Sequence, residues 1–237
     1  MARRVKAGSR EFAPGFWPTL GAALLVFLTL FLARWQTDRG DEKQARQSLY
    51  ESRMREPAID VGGAPAGEEL LYRRVRAAGE YVPAGQIFID NQVFEGRAGF
   101  LVVTPLRLAS GSLLLVQRGW IERDSRYPAA PQVAVPAGPV QVSGIAALPP
   151  RRYLELSSET ITGNVWQNLS IDKYRERHGG KVLGFVLVDD VAAPGLQAIR
   201  ERPDTGIERH REYALTWYAF AATALGLWIA LGLRPKR

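Results

Sequence analysis

The sequence has no cysteine, two methionines and two histidines. Lack of cysteine rules out disulfides, redox thiols, thiolate metal sites and covalent attachment of haem through paired cysteines. With Met1 and Met54 as the only other sulfur ligands, the chain makes a poor carrier of cuprous copper. A nucleophile–base triad would have to recruit His178 or His210, and neither lies near a sequence resembling a nucleophile elbow. That argues against a hydrolase, and no coherent acid–base constellation points to any other enzyme. The serines at 157 and 158 and in the stretch TPLRLASGS therefore have no catalytic partner in the sequence.

Charge is absent from two long stretches, Phe12 to Ala33 and Tyr213 to Leu233. Each is rich in Leu, Ala, Phe and Val and long enough for a membrane helix, which needs about 20 residues to cross about 30 Å of hydrocarbon. The first is a poor cleavable signal: its apolar core is long, and Phe31 stands three residues before Ala33, where a small residue is expected. It reads as a retained anchor flanked by the interfacial aromatics Trp17 and Trp35.

The formal charge of +7 sits at the ends. Arg3, Arg4, Lys6 and Arg10 against Glu11 give the N-terminal flank +3, and Arg234, Lys236 and Arg237 give the tail +3, leaving +1 for the rest. The positive-inside rule places both termini in the cytoplasm and the middle on the opposite side, which is the periplasm in a bacterium. No basic stripe remains to grip nucleic acid.

Between the spans, 36–56 is polar and helix-prone. Glu42 precedes Arg46 by four residues and Glu51 likewise precedes Arg55, while Gly40 weakens the helix locally. PAIDVGGAPAGEE reads as a loop. From Leu71 onward, short runs of Val, Ile, Leu and aromatics alternate with turn residues, as in an antiparallel barrel or sandwich. GFLVVTPLRLASGSLLLVQRGW reads as a hairpin turning at Ser110-Gly111, and IDKYRERHG as a short helix with Asp172 near its start and Gly179 past its end. ERPDTGIERHRE reads as a loop into the second span. The expected architecture is an α+β membrane protein, with two transmembrane helices flanking an extracytoplasmic β-rich domain. Its parts are a basic flank at 1–11, a first span at 12–35, a domain at 36–212 with its β-rich part at 70–191, a second span at 213–233 and a tail at 234–237.

HGGK at 178–181 is no phosphate loop, because Arg175 replaces its first glycine and Val182 its Ser or Thr. Asp189 and Asp190 read as a solvated strand end, since adjacent strand residues point to opposite faces. His210 has more to offer. On a continuous helix it shares a face with Tyr213, Ala214, Trp217, Ala221, Ala224 and Trp228. One reading is an interfacial belt of amphipathic rings. The other is a ligand face, in which neutral imidazole coordinates haem iron and the residues below leave a flat surface for the macrocycle. Ala222 and Gly226, four apart, could instead seat one helix on the other.

Taken together, these pieces resemble the surfeit locus protein 1 family, membrane assembly factors of cytochrome c oxidase. ARWQTDRGDEK is similar to the family block after the first span, with Trp35, Gln36, Arg39 and Lys43 in place. DNQVFEGRAGFLVVTPL matches the next block at Asp90, Asn91, Gly99, Thr104 and Pro105. LLLVQRGWI matches at Arg118, Gly119 and Trp120, and RHREYALTW resembles the closing His-x-x-Tyr-x-x-x-Trp. Gln117 and Glu208 each stand where the family usually has Asn. The resemblance implies a role in maturing the haem-bearing core subunit, with haem a as a transient cofactor, no catalytic turnover, and residence in a bacterial inner membrane. It makes His210 the candidate axial ligand, with Tyr213 and Trp217 lining the site. The implied partners are the oxidase core subunit and haem a synthase. The alternative is a scaffold that holds oxidase subunits or the synthase without touching haem. On the residues alone, Gly119 reads as an unusual backbone angle at a strand end, Trp120 as barrel packing and Asp90-Asn91 as a turn.

Overall fold

The computed structural model describes residues 5–7, 10–63, 68–149, 161–199 and 206–235. Most of the basic flank, Lys236 and Arg237, the two serines at 157–158 and the first part of the loop before the second span lie outside the described residues. In chain order the elements are β1 (Val5–Ala7), β2 (Arg10–Phe12), α1 (Phe16–Arg55), β3 (Ile59–Asp60), β4 (Arg74–Tyr81), β5 (Ile87–Phe94), β6 (Arg97–Leu108) and β7 (Leu113–Glu122). There follow β8 (Pro139–Ala147), β9 (Ile161–Thr162), β10 (Val165–Trp166), α2 (Ile171–His178), β11 (Val182–Asp189), α3 (Ile207–Gly232) and β12 (Leu233–Pro235). They fall into two compact units, Met1–Ser48 with Arg202–Arg237, and Leu49–Glu201.

In the first unit, α1 and α3 are both long and apolar enough to cross a membrane. Their outward side chains are bare, with Phe27 71% and Leu215 69% exposed. Such a surface is costly in water and ordinary in lipid. The inward faces are small: Thr29 and Ala33 of α1 and Ala214, Ala221 and Ala224 of α3 are buried. Small residues allow helix axes to approach closely, which is how helices associate where no hydrophobic drive exists. At one end Trp228 donates from Nε1 to Thr19 Oγ1 at 3.1 Å and meets the Phe12 ring edge-on. There β2 pairs with β1 and with β12, joining the two chain ends in one small sheet. The first helix starts at Phe16 because Phe12 is taken into that sheet and Pro14-Gly15 intervenes; Pro18 is tolerated in the first turn, where its missing N–H is not needed. At the other end α1 runs without a break through Gly40 to Arg55, with Arg34–Asp38 at 3.0 Å and Arg39–Glu42 at 2.9 Å along its polar part. The stretch ERHRE, expected in a loop, is the first turn and a half of α3, with Glu208 where an acidic residue suits the helix dipole.

In the second unit the sheet order is β3-β4-β8-β11-β7-β6-β5-β10-β9, and an extra pairing of β4 with β6 closes the ring β4-β8-β11-β7-β6. The β7–β11 pair is parallel and the other four are antiparallel. This is the strand order and sense of an OB-type barrel. Its interior is apolar, with Val75, Leu106, Leu114, Val116, Phe185 and Leu187 packed together. Closure brings backbones close: at Gly144 of β8 a Cβ would run into the Val188 carbonyl of β11. A second cluster covers part of the outer face, where Trp166 of β10 and Tyr174 of α2 lie on Ile89, Val103, Leu115 and Val186. The α2 helix is capped by Ser170, whose side chain accepts from Lys173 N–H, and ends at Gly179 with φ of 69°.

Three residues of the matched blocks differ from their sequence reading. Asp90 and Asn91 form a bulge inside β5, between the paired Ile89 and Gln92, with Asn91 at φ of 58°. Asp90 is buried there against Arg123, at 2.6 Å, with the Tyr127 hydroxyl at 3.3 Å. Gly119 lies within β7 rather than at its end, at φ of 138°, where a Cβ would crowd the Gln197 carbonyl.

Asp189 ends β11, as expected, but is not solvated. It pairs with Gly144 and is half-buried, and burial pushes its carboxyl above the usual carboxylate range, helped by neighbouring Asp190 against the opposing Arg118. A raised carboxyl pKa means that the folded state holds its proton more tightly than the unfolded one. This contribution is therefore present below the unfolded value and is lost as pH rises through the folded value. Asp189→Asn is accordingly expected to raise the unfolding midpoint at neutral pH and to leave it unchanged near about pH 3, where the native carboxyl is already protonated. Denaturant unfolding of the detergent-solubilised chain at both pH values checks this.

Candidate functional site

The head of the helix pair is built by three residues of α1 spaced four apart, Gln36, Gly40 and Gln44, on one helix face. His210 of α3 lies against this face. Its Nδ1 is 2.7 Å from Gln36 Oε1. Gly40 faces the same histidine: a Cβ added there would come into ordinary contact with the His210 Cβ, at 3.6 Å. One turn further along α1, Gln44 Oε1 accepts from Arg211.

The hydrogen bond fixes the chemistry of the ring. A carboxamide oxygen only accepts, so Nδ1 carries the proton, and in the neutral imidazole Nε2 keeps its lone pair. A histidine held in this way through its other nitrogen is the usual arrangement of a metal-ligating imidazole. The donor set thus fits a haem iron, which His210 would hold through Nε2. His210 is half-buried, so the ring is neither sealed in the seam nor fully solvated.

The rest of the expected site is only partly assembled. Tyr213 is 58% exposed, and Trp217 is half-buried with its ring edge-on to Phe220 at 5.7 Å. Among the described residues, no hydrogen bond or ring contact joins either of them to His210. Ala214, one turn below His210, is 5% exposed and Ala33 is fully buried, so the seam between the helices is filled there by small side chains. The small residues of this face serve helix packing and leave no flat slot inside the pair. Sequence reasoning missed Gln36 as a site residue. The available signal was the spacing of Gln36, Gly40 and Gln44, which puts two carboxamides and a gap on one face.

His178, the other histidine, is elsewhere. Its ring stacks on Tyr174 at 4.4 Å, and burial, then Arg177, lower its pKa. The matched block around Arg118 is also structural. A register shift leaves Arg118 as the extra residue of a bulge, and its guanidinium turns inward, 2% exposed. It donates to Gln86 Oε1 at 3.2 Å, Thr104 Oγ1 at 3.5 Å and the Ala134 carbonyl at 3.0 Å, and it lies over the Tyr81 ring. Burial pushes the Tyr81 hydroxyl up to about 12.

Two apolar helices, an imidazole held between them and an OB-type barrel inserted between the helices in sequence define a class of barrel-bearing proteins with two candidate spans and no cysteine. The chain belongs to the SURF1 family, whose sequence model matches residues 23–222. It is similar to a SURF1-like protein of Rickettsia bellii (strain RML369-C), 26% identical over 215 residues, which are 84% of this chain and 85% of the relative. A SURF1-like protein of Rickettsia felis is 24% identical over 221 residues, covering 87% of this chain and 93% of the relative. Surfeit locus protein 1 of Rattus norvegicus is 26% identical over 223 residues, covering 86% of this chain and 72% of the relative.

Proposed function

We propose that this chain is an inner-membrane assembly factor for cytochrome c oxidase that holds haem a through His210 and passes it to the oxidase core subunit. The observation that carries the reading is the 2.7 Å hydrogen bond between Gln36 and His210, which leaves Nε2 as a ligand. Family membership supports the assembly role. The haem would supply the redox and oxygen chemistry of the finished oxidase; in this chain the residues only bind and orient. A single protein imidazole would hold the haem by one bond and so permit its transfer. Haem a synthase is the natural donor, and no turnover by this chain is involved.

The placement of both termini in the cytoplasm and of the barrel in the periplasm rests on the basic flanks and on the sheet that joins the two chain ends. The closed seam below His210 favours a second reading, a scaffold that holds oxidase subunits without haem. Cells whose only copy is His210→Ala distinguish the two. The haem carrier reading expects core subunit with a reduced haem a content per polypeptide. Full haem content, with the partner complex still recovered, would establish the scaffold instead.

A further inference from the structure

The helix pair carries a second site, at the end away from His210 and contained within the unit of Met1–Ser48 with Arg202–Arg237. A cavity of about 260 Å³ lies between α1 and α3. Gly21, Ala22 and Leu25 form its wall on α1, and Ala224, Leu227 and Leu231 its wall on α3. Within each set the residues recur every three or four positions, so each wall is one helix face. From Pro18 to Leu25 the groove follows α1 for about 10 Å. Its rim is open, with Leu25, Leu227 and Leu231 all exposed.

Gly21 keeps this groove open. No atom lies within 4 Å of the place where its Cβ would stand, so this glycine does not serve a close approach of α3. It differs in that from Ala33 and Ala214, which are buried in the seam. The lining is polar at one end. Trp228 has its Nε1 committed to Thr19 Oγ1, and Arg234 of β12 stands at the head of the groove with Pro14 and Gly15. Among the described residues Arg234 engages no hydrogen bond or ion pair. Glu11, opposite it in register on β2, does not line the cavity. The N-terminus of α1 and the C-terminus of α3 meet at this end, so their dipoles oppose each other and the arginine sets the sign of the charge.

These features select an amphiphile with an anionic head and a thin apolar tail. A partner helix is about 10 Å across and would bridge the rim of so small a groove, whereas an acyl chain enters it. Basic residues between helices on the cytoplasmic side are a general means of holding anionic lipid heads, and the net +3 of each flank adds to the attraction. We infer that the groove binds an anionic phospholipid of the cytoplasmic leaflet, with one acyl chain between Gly21 and Leu227 and its phosphate on Arg234. The inference rests on the placement of α1 and α3 across the membrane with both termini in the cytoplasm, and it does not depend on haem.

The test adds phosphatidylglycerol or phosphatidylcholine with identical acyl chains to the full-length chain in detergent and counts bound lipid by native mass spectrometry. Native chain is expected to hold one phosphatidylglycerol about fivefold more tightly than phosphatidylcholine, the effect of one arginine near an anionic lipid. Arg234→Gln should bring the two lipids to equal affinity. Gly21→Leu, which fills the groove, should abolish the one-to-one adduct with both. Gly226→Leu makes the same change at an α3 glycine that also has open space around it but does not line the groove, and it should bind as native chain does. Equal affinity of native chain for the two lipids, or an adduct unchanged in Gly21→Leu, overturns the inference. Displacement of phosphatidylglycerol by an equal concentration of inorganic phosphate also overturns it, by making Arg234 a site for the free anion. A dimer in detergent that Gly21→Leu dissociates, with lipid binding retained, would assign the groove to a second copy and overturn it too. Flotation with phosphatidylcholine vesicles separates the inference from its premise. A chain that floats without a headgroup preference loses this inference alone, and a chain that stays in the soluble fraction loses the membrane placement and this inference with it. All these readouts are taken without haem, so they leave the His210 reading untouched.

Discussion

Gln36→Leu is expected to bind haem a about tenfold more weakly than the native chain, within the range of about 10–100-fold seen when the partner of a ligating histidine is removed. The leucine is one bond shorter than glutamine but fills a similar volume, so the α1–α3 seam stays packed, and it removes the acceptor that holds the Nδ1–H of His210. Without that acceptor the proton redistributes between the two ring nitrogens and the ring turns freely. Part of the population then presents N–H instead of a lone pair to the iron. Gln36→Glu, which retains an acceptor at the same reach, should restore binding. Titration of haem a into purified chain, followed by absorbance, measures the affinity. Nitrogen-15 spectra of the imidazole in haem-free protein measure the tautomer separately. A Leu variant with a mixed tautomer and native affinity would separate Gln36 from the site.

Trp120→Ala is expected to lower the stability of the barrel by about 3–5 kcal/mol, the usual cost of removing a buried tryptophan. The side chain is 1% exposed. Its Nε1 donates to the Gln92 carbonyl at 2.9 Å, which ties the β5 bulge to β7, and its ring meets Phe94 at 5.6 Å. Gly99 of β6 has no Cβ because the indole occupies that space. Loss of the ring therefore leaves a cavity and an unpaired carbonyl together, and the surrounding strands cannot collapse to fill it. Denaturant unfolding in detergent measures the loss. Trp17→Ala, at a side chain 76% exposed, should leave the barrel's unfolding free energy unchanged.

Much of this was legible in the sequence, because local patterns carry it. The two uncharged stretches, the β6–β7 hairpin and the capped α2 follow from hydrophobic period, turn residues and caps, each within a short window. Closure of the barrel by β4 on β6, and the parallel β7–β11 pair, depend on strands far apart in sequence, and no local signal encodes them. The same limit hid the site. Gln36 and His210 are 174 residues apart, and only helix pairing makes them neighbours. Gly40 read only as a weak point in a helix, because its neighbour His210 comes from the other helix. Asp90-Asn91 read as a turn because turns and bulges draw on the same tolerance of Asn for positive φ. Asp189 read as solvated because its burial comes from a strand approaching at Gly144.

The proposed binding of haem iron by His210 has a direct test. Native chain loaded with haem a and labelled with nitrogen-15 at histidine should show iron coupled to one imidazole nitrogen by pulsed electron paramagnetic resonance. That coupling should vanish in His210→Ala and persist in His178→Ala. An undiminished coupling in His210→Ala would contradict the account.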